Sequence, residues 1–585
     1  MLDAIRDSPF GLSVRFLTKG KYLRHVEELD TFEHPYYYAS ADNSSIRETA
    51  SVSSGSSSIA LEDTDSGTDI ERGDEEKLDE NMIRRLVTQQ SHHAQEKEYS
   101  EPIKPTRTSE GHILVDWYTT DDPENPQNWT PFKKHFVASV ICFYSFVVYF
   151  GSSITIGAVP EVVEKFGISI EVSSLALALY VLGYGLGPLL FSPLSEIAPV
   201  GRNAPYIITL FIYTMLWIGA AMVQNFPGYL VLRFLTGFFG SPALATGGAS
   251  FADMYPLLEV PYAIVFWGAA TVVGPALAPV IANFSAPATS WHWVSWEMLW
   301  ISAPVLLVWF FFVPETSAST ILYYRARRLR RVTGNSRYRT KEEIDQLSDA
   351  ATTSPKHILS NAIIKPAQIN VLDPAVLFST VYTSLVYAIF YSFFESFPLI
   401  FEGVYHFRFE LTGLPFLAVL PALLIASLML IGYWNISVVR HFPSKGFEAF
   451  GAPERRLVPG LINCLWTPIG LFITAWTSRP TIHWIVPIIG LSLTIIGTFT
   501  VILCMLQYLA FTYPRYAASL FAANDFARST LAAGAVMFAR PMFLNLGLDW
   551  GISLLAFVDI VCCVLLFGLW RYGGALRERS RFAEP

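Results

Sequence analysis

The chain has 585 residues, 52% of them hydrophobic and only 15% charged, where a soluble domain carries roughly 25% charged residues. That composition excludes an ordinary soluble protein and indicates an integral membrane protein; the formal net charge of −8 averages an acidic tail with basic loops and names no charged partner, nucleic acid included. All five cysteines, Cys142, Cys464, Cys504, Cys562 and Cys563, lie in apolar stretches, which suits small core residues better than disulfides or metal ligands.

Residues 1–130 hold no spanning segment and are expected to form a cytoplasmic, largely disordered tail. At its start Arg6, Arg15, Lys19, Lys21 and Arg24 mix with Phe10, Phe16 and Leu23, without the continuous apolar core of a signal peptide. An amphipathic segment on the inner membrane surface and a solvated tail both fit this pattern. The Ser-rich run from Ser51 and the acidic stretch from Asp63 to Glu80 are too polar to bury a core, so disorder is expected there.

From Phe136 onward, apolar stretches near the ~20 residues that cross a bilayer alternate with short polar connections. The expected spans are 136–156, 174–194, 205–223, 228–250, 261–282, 296–313, 375–397, 413–435, 457–476, 484–506, 516–539 and 551–571. Lys133, Lys134, Arg202, Arg325, Arg327, Arg328, Arg330, Arg331, Arg440, Lys445, Arg455, Arg456 and Arg515 then fall on one side, with Arg571, Arg577, Arg579 and Arg581 in the tail. The opposite loops hold only Lys165, Arg408 and Arg479, so both termini are expected inside. A long inner connection, 314–374, separates an N-terminal six-helix bundle (131–313) from a C-terminal one (375–571), and 572–585 form a cytoplasmic tail. An echo between Ala252-Asp-Met-Tyr-Pro256 and Ala510-Phe-Thr-Tyr-Pro514 suggests duplication, with two bundles facing a central cavity. The fold class is therefore all-α: twelve transmembrane helices in two six-helix bundles, preceded by a disordered tail.

No Gly-rich loop ending in Gly-Lys-Ser/Thr is present, so nothing cradles ATP phosphates. An ion gradient or downhill movement must supply the energy of any transport. Alternate glycines in Gly183-Tyr-Gly185-Leu-Gly187 lie inside a span and read as close helix packing. At the inner end of the second span, Glu196 and Arg202 suggest a gating latch, with Asp253 at the end of the fourth span as the partner of Arg202. Arg233 lies inside the fourth span, where a charge costs about 2.5–3.5 kcal/mol near the centre; it faces a cavity or partner, or snorkels to the surface. In the fifth, Gly268, Gly274 and Pro275 mark a bent, closely packed helix suited to a moving joint.

Tyr387, Tyr391, Phe394, Glu395 and Pro398 share the seventh span, with Tyr391 and Glu395 four residues apart on one face. An aromatic surface beside a titratable carboxylate suits apolar or cationic substrates. In the eleventh span Asp525 and Arg528, three apart, can pair internally. The first and fifth spans offer no acid, so proton coupling is expected to use Glu395 or Asp525, or to run through Arg233.

Together these motifs resemble the major facilitator superfamily, and within it the twelve-helix drug:proton antiporters of fungi, the group of yeast and Candida pumps for benomyl, methotrexate and fluconazole. The resemblance rests on Pro193-Leu-Ser-Glu196 with Gly201-Arg202, on the Arg233 segment, and on Gly268, Gly274 and Pro275 as the antiporter motif. Asp121-Asp-Pro-Glu-Asn-Pro-Gln-Asn-Trp129, Ser241-Pro-Ala-Leu-Ala-Thr-Gly-Gly-Ala-Ser250 and Pro314-Glu-Thr316 with Tyr324-Arg-Ala-Arg-Arg-Leu-Arg330 extend it across 110–585. It implies the major facilitator fold, alternating access, proton entry from outside and export of amphipathic drugs, toxins or secondary metabolites across the plasma membrane. The superfamily's usual Asp of the first motif is Glu196 here, and its paired basic residues are Arg202-Asn203. The substrate is then a small amphipathic organic compound lining up with Tyr387, Tyr391, Phe394, Glu395 and Arg528, the partners are protons and the lipid bilayer, and no cofactor, metal or nucleic acid is expected of what should be a monomer. A proton-coupled nutrient importer is the alternative transporter, and a non-transporting membrane sensor the alternative from another class. An enzyme is not expected, since no nucleophile–base constellation appears outside the apolar segments.

Overall fold

The computed structural model describes residues 5–19, 21–29, 103, 107–108, 111–348, 368–513 and 517–580. The Ser-rich run at 51–58, the acidic stretch at 63–80, Arg515 and Arg581 lie outside the described residues. A short helix, α1 (Pro9–Leu17), comes first. The first bundle is built from α2 (Pro131–Ser153), α3 (Leu175–Glu196), α4 (Asn203–Met222), α5 (Phe226–Gly240) continued by α6 (Pro242–Met254), α7 (Val260–Ala288) and α8 (Trp293–Phe312). Then α9 (Ala318–Thr333) leads to the second bundle: α10 (Pro374–Phe397), α11 (Val419–Trp434), α12 (Trp466–Thr477), α13 (Ile485–Thr512), α14 (Ala517–Leu546) and α15 (Leu548–Arg579).

Among the described residues, 11 helices are long and apolar enough to cross a membrane. The twelfth is α14, whose 30 residues reach about 45 Å but carry Asp525, Arg528 and Arg540. The chain is thus an all-α membrane protein of twelve spanning helices in two bundles. The helices begin where the sequence punctuates them. Thr130 caps α2, Asn225 caps α5 and Asp373 caps α10, each accepting a backbone N–H of the first turn, and each helix has proline in that turn. The fourth span breaks between α5 and α6 because Pro242 lacks an N–H, while Ser241 Oγ donates back to the Phe238 carbonyl.

Small residues let the helices touch backbone to backbone. A Cβ on Gly237 of α5 would lie 2.1 Å from the Tyr180 carbonyl of α3, and one on Gly185 of α3 would lie 2.4 Å from Ser529 Cβ of α14. The second contact joins the two bundles.

Segments 5–19, 21–29 and 111–130, which composition assigns to a coreless tail, are folded onto α8 and α9. β1 (Ile113–Leu114) pairs in parallel with β2 (Tyr338–Arg339), over a small core of Ile113, Val115, Ala326, Leu329 and Tyr338. Asp122 and Glu124 of the Asp121–Trp129 turn take Arg325 at 2.7 and 2.9 Å, and Arg328 reaches Glu124 and Glu27 at 3.1 Å each. His25 Nδ1 lies 3.2 Å from Glu124. Three carboxylates share two guanidiniums and the His25 ring, so each acid in the cluster has a partner.

Burial works against the charge of Glu124, but the His25 hydrogen bond and the Arg325 and Arg328 guanidiniums outweigh it and hold the carboxyl well below the usual carboxylate range. A depressed folded pKa contributes stability that is complete above the ordinary value near 4.3 and is lost as pH falls through the folded one. The strap is therefore expected to persist through neutral and mildly acidic pH and to detach only below about pH 4. Hydrogen exchange at the Ile113 and Val115 amides, which donate to the Arg337 and Arg339 carbonyls at 2.8 and 2.9 Å, reads this directly. Glu124→Gln should speed that exchange at pH 7 by at least about tenfold, since a hydrogen bond to a charged group contributes about 1.5–3 kcal/mol.

Candidate functional site

Arg233 is fully buried and has no carboxylate partner among the described residues. It does not snorkel. Its Nη1 and Nη2 donate to the Gly151 and Ser152 carbonyls of α2 at 2.9 and 2.8 Å, and its Nε donates to the Ala176 carbonyl of α3 at 3.1 Å. Tyr180 and Trp217 present their rings to the guanidinium at 4.4 and 5.5 Å. Three backbone carbonyls and two aromatic faces thus take the place of a counterion, and they fix the end of α2 against α3.

That end of α2 is a junction. Ser153 Oγ donates to the Pro275 carbonyl of α7 at 2.8 Å, and Ser152 Oγ lies 3.2 Å from the Tyr391 hydroxyl of α10. A Cβ on Gly274 would come within 2.6 Å of the Phe146 carbonyl, so α7 meets α2 at backbone distance at the Gly-Pro bend. Gly268, a turn and a half earlier, faces Leu503 and Phe499 of α13 across the two bundles.

From Tyr391 the contacts continue into the second bundle. The Tyr184 hydroxyl of α3 donates to Tyr391 at 3.0 Å and lies 2.5 Å from Tyr387. The Tyr387 ring faces the Arg528 guanidinium at 4.5 Å. Arg528 pairs with Asp525 and donates to Tyr149 of α2 at 3.3 Å. One connected layer of polar contacts therefore runs from Arg233 through Ser152, Tyr391, Tyr184 and Tyr387 to Arg528 and Asp525, crossing between the bundles. Asp525 Oδ2 has no partner among the described residues.

On one side of this layer lies a cavity of about 440 Å³ between the bundles, lined among others by Thr155, Leu177, Tyr229, Phe394, Glu395 and Glu402. It sits at the face away from α9, the far face. Two polar contacts close its rim: Ser174 of the first bundle donates to Glu395 of the second at 2.8 Å, and Arg540 lies 3.6 Å from Glu171.

The other side is sealed differently. At the face carrying α9 and most of the cations, the basic face, Leu258 and Tyr262 of the first bundle meet Trp434, Val438, Phe442, Phe450 and Phe511 of the second. Trp434 Nε1 donates to the Leu258 carbonyl at 3.1 Å. Arg456 stands at the centre, bonded to the Phe450 carbonyl and facing the Phe511, Trp434 and Phe450 rings at 4.3, 5.3 and 5.6 Å. In the first bundle Arg202 donates to Asp253 at 2.5 Å. The internal echo aligns Asp253 with Phe511, so the two bundles place an arginine against equivalent helix ends, one by ion pairing and one by cation–π contact. Arg456→Ala is expected to loosen this apolar plug, raising several-fold the reactivity of a cysteine placed at Leu258 with a water-soluble maleimide, while Arg456→Lys recovers only part of the seal.

Glu196 is exposed and makes no ion pair among the described residues, although the Arg202 charge acts on it from a distance. Glu315 takes its structural place: it accepts the Arg202 and Asn203 amides at 3.1 and 3.0 Å. Sequence reasoning noted Glu315 only within Pro314-Glu-Thr316, with no task. It missed Tyr149, Ser152 and Tyr184, since nothing in an apolar helix separates a tyrosine in the core from one at a bundle interface. It also passed over Asp559, fully buried in α15 with Oδ1 unpartnered among the described residues and Cys563 Sγ at 3.8 Å. A lone acid within a long apolar run was the available signal.

Residues 141–539 match the family model described as Major Facilitator Superfamily. The chain is 46% identical over 484 residues to "MFS-type transporter pyvG" of Aspergillus violaceofuscus, covering 82% of this chain and 87% of that one. It is 37% identical over 476 residues to "Fluconazole resistance protein 1" of Saccharomyces cerevisiae, covering 80% and 85%. Among solved structures, the human organic anion transporter MFSD10 (TETRAN) superposes with a TM-score of 0.51 at 14% identity, covering 75% of this chain and all of that one.

Proposed function

The chain belongs to the Major Facilitator Superfamily and is an efflux transporter of that family, and we propose that it exchanges protons for small amphipathic organic compounds across the plasma membrane. The observation that carries this reading is the cavity between the bundles, whose rim holds Glu395 beside Phe394 and Tyr229. An aromatic wall with a carboxylate suits apolar or cationic drug-like molecules rather than sugars, which need many hydrogen-bonding groups. The Lys and Arg excess supports a cytoplasmic basic face, with both termini inside. The state described is then sealed toward the cytoplasm by an apolar plug, while the rim of the outer cavity is closed by two polar contacts. Both rim contacts involve carboxylates, Glu395 and Glu171.

A proton arriving from outside weakens either contact, because a neutral carboxyl is a poorer acceptor and no ion-pair partner. The outer rim opens and releases the compound. Asp525 with Arg528 couples this event to the centre: protonation of Asp525 frees Arg528 from its ion pair, and the tyrosine layer carries the change to Arg233 and the Pro275 bend. Gly268, Gly274 and Pro275 serve as the joint on which α7 rocks. Arg202 with Asp253 and the Arg456 plug act as latches on the inner face, with Glu315 rather than Glu196 bracing the first. The site is complete within one chain, so a monomer suffices.

One proton crossing about 100 mV supplies about 2.3 kcal/mol, and a pH unit about 1.4 more, enough to hold a gradient of several hundredfold. The test is uptake of a fluorescent amphipathic cation into inside-out vesicles with an acid interior. Accumulation that a protonophore abolishes is expected. Accumulation unaffected by the gradient, or sodium dependence, overturns proton exchange while leaving the family assignment intact.

A further inference from the structure

Helix α1 has two unlike sides. Phe10 packs against Phe310 and Phe311 in the last turn of α8, with ring centroids 6.0 and 4.9 Å apart, and Gly11 is buried. The opposite side carries Leu12 and Phe16, which are 51% and 85% exposed, and Leu17 at the end of the helix is 78% exposed. Leu12 and Phe16 are four residues apart, one turn, and make a single apolar face, while Leu17, seven residues from Phe10, is the apolar residue at the end of the other side. From the last turn of the helix, Arg15 pairs with Glu28 at 2.8 Å and donates to the Leu23 carbonyl at 2.9 Å, folding the following segment back. Lys19, Lys21 and Arg24 are exposed on that segment.

The depth of α1 is set by what it touches. Phe310 and Phe311 end a spanning helix at the basic face, where Leu307 and Phe312 of the same helix are 57% and 41% exposed on its lipid side. An exposed phenyl ring beside that boundary stands at the level where headgroups meet acyl chains. An apolar face bordered by cations is the composition of a helix lying in the membrane plane.

We propose that residues 9–19 and 21–24 form an in-plane anchor bound to the leaflet at the basic face, with Leu12 and Phe16 entering the headgroup–acyl boundary, Leu17 at its edge, and Lys19 and Lys21 meeting anionic headgroups. The anchor holds the strap in register: Glu27 and Glu28, just beyond it, bind Arg328 and Arg15. The charge preference rests on the cytoplasmic placement of this face, because anionic lipid concentrates in that leaflet.

The experiment places a nitroxide on Phe16→Cys in full-length protein carrying Cys142→Ala, in nanodiscs with and without phosphatidylserine. The expected result is ready collision with dissolved oxygen and protection from a water-soluble nickel chelate, with phosphatidylserine deepening the probe. Lys19→Glu with Lys21→Glu should shift the immersed population by more than about tenfold, since each cation near an anionic surface contributes a factor of about five. A probe accessible to the nickel chelate in both lipids overturns the anchor. So does a probe shielded from both reagents, which means that protein covers the face. Labelling of Lys19→Cys from outside intact cells by an impermeant maleimide overturns the sidedness in the proposed function and leaves the depth result standing.

Discussion

Arg233→Ala is expected to abolish transport, with a loss of more than about a hundredfold. The guanidinium spans carbonyls on two helices, Gly151 and Ser152 on α2 and Ala176 on α3, at 2.8–3.1 Å. Alanine leaves all three acceptors in a membrane interior with no water to replace the donor, and each bond to a charged group contributes about 1.5–3 kcal/mol. Loss of two such bonds already exceeds about 3 kcal/mol, or about a hundredfold. Arg233→Lys keeps the charge, but one ammonium cannot reach carbonyls on both helices in the fork that arginine makes, so it should recover only a few per cent of the rate. Ser152 also meets Tyr391 of the second bundle, which makes a loose α2 end a fault in coupling as well as in packing. Elution of the variant as a monodisperse peak and retained substrate binding separate the two. Transport by the alanine variant within about threefold of the parent removes Arg233 from the mechanism.

Much of this was legible beforehand. The spans follow hydrophobic runs, and α5, α7 and α10 begin within two residues of their expected starts, whereas α2, opened by Thr130-Pro, begins five residues before 136. Arg202 with Asp253, and Asp525 with Arg528, were readable because the lone charges in or beside an apolar run must find each other. The strap was not readable: Asp122, Glu124 and Glu27 reach Arg325 and Arg328 only through the fold, across 200 or more residues in most cases. Nor was the tyrosine layer, since hydroxyls in spanning helices often bond locally, as Thr209 does to Pro205, and sequence alone cannot tell local bonds from those between bundles. Arg456 was hidden for another reason. Its partners are rings and a carbonyl, so no opposite charge in the sequence points to it.

Asp525→Asn should uncouple the transporter. Asp525 is buried and Arg528 half-buried, the two are paired with each other, and they are linked to the first bundle through Tyr149. The two partners are not equivalent. A carboxylate left alone can bind a proton and become neutral, whereas a guanidinium cannot lose one. Asp525→Asn therefore strands a positive charge, a defect of about 3–5 kcal/mol, while Arg528→Gln strands an acid that neutralises itself. The single Asn variant should express poorly, and its residual transport should ignore an imposed pH gradient. In the double variant Asp525→Asn with Arg528→Gln no buried charge is left unpaired, so folding should recover to near the parent level. Coupling should not recover, because the acid that links protonation to the centre is gone. Exchange of labelled for unlabelled compound at equal pH on both sides should persist in the double variant, since the cavity near Glu395 is untouched. Gradient-driven accumulation in that same variant would pass the role of proton carrier from Asp525 to Glu395, the acid that faces the cavity.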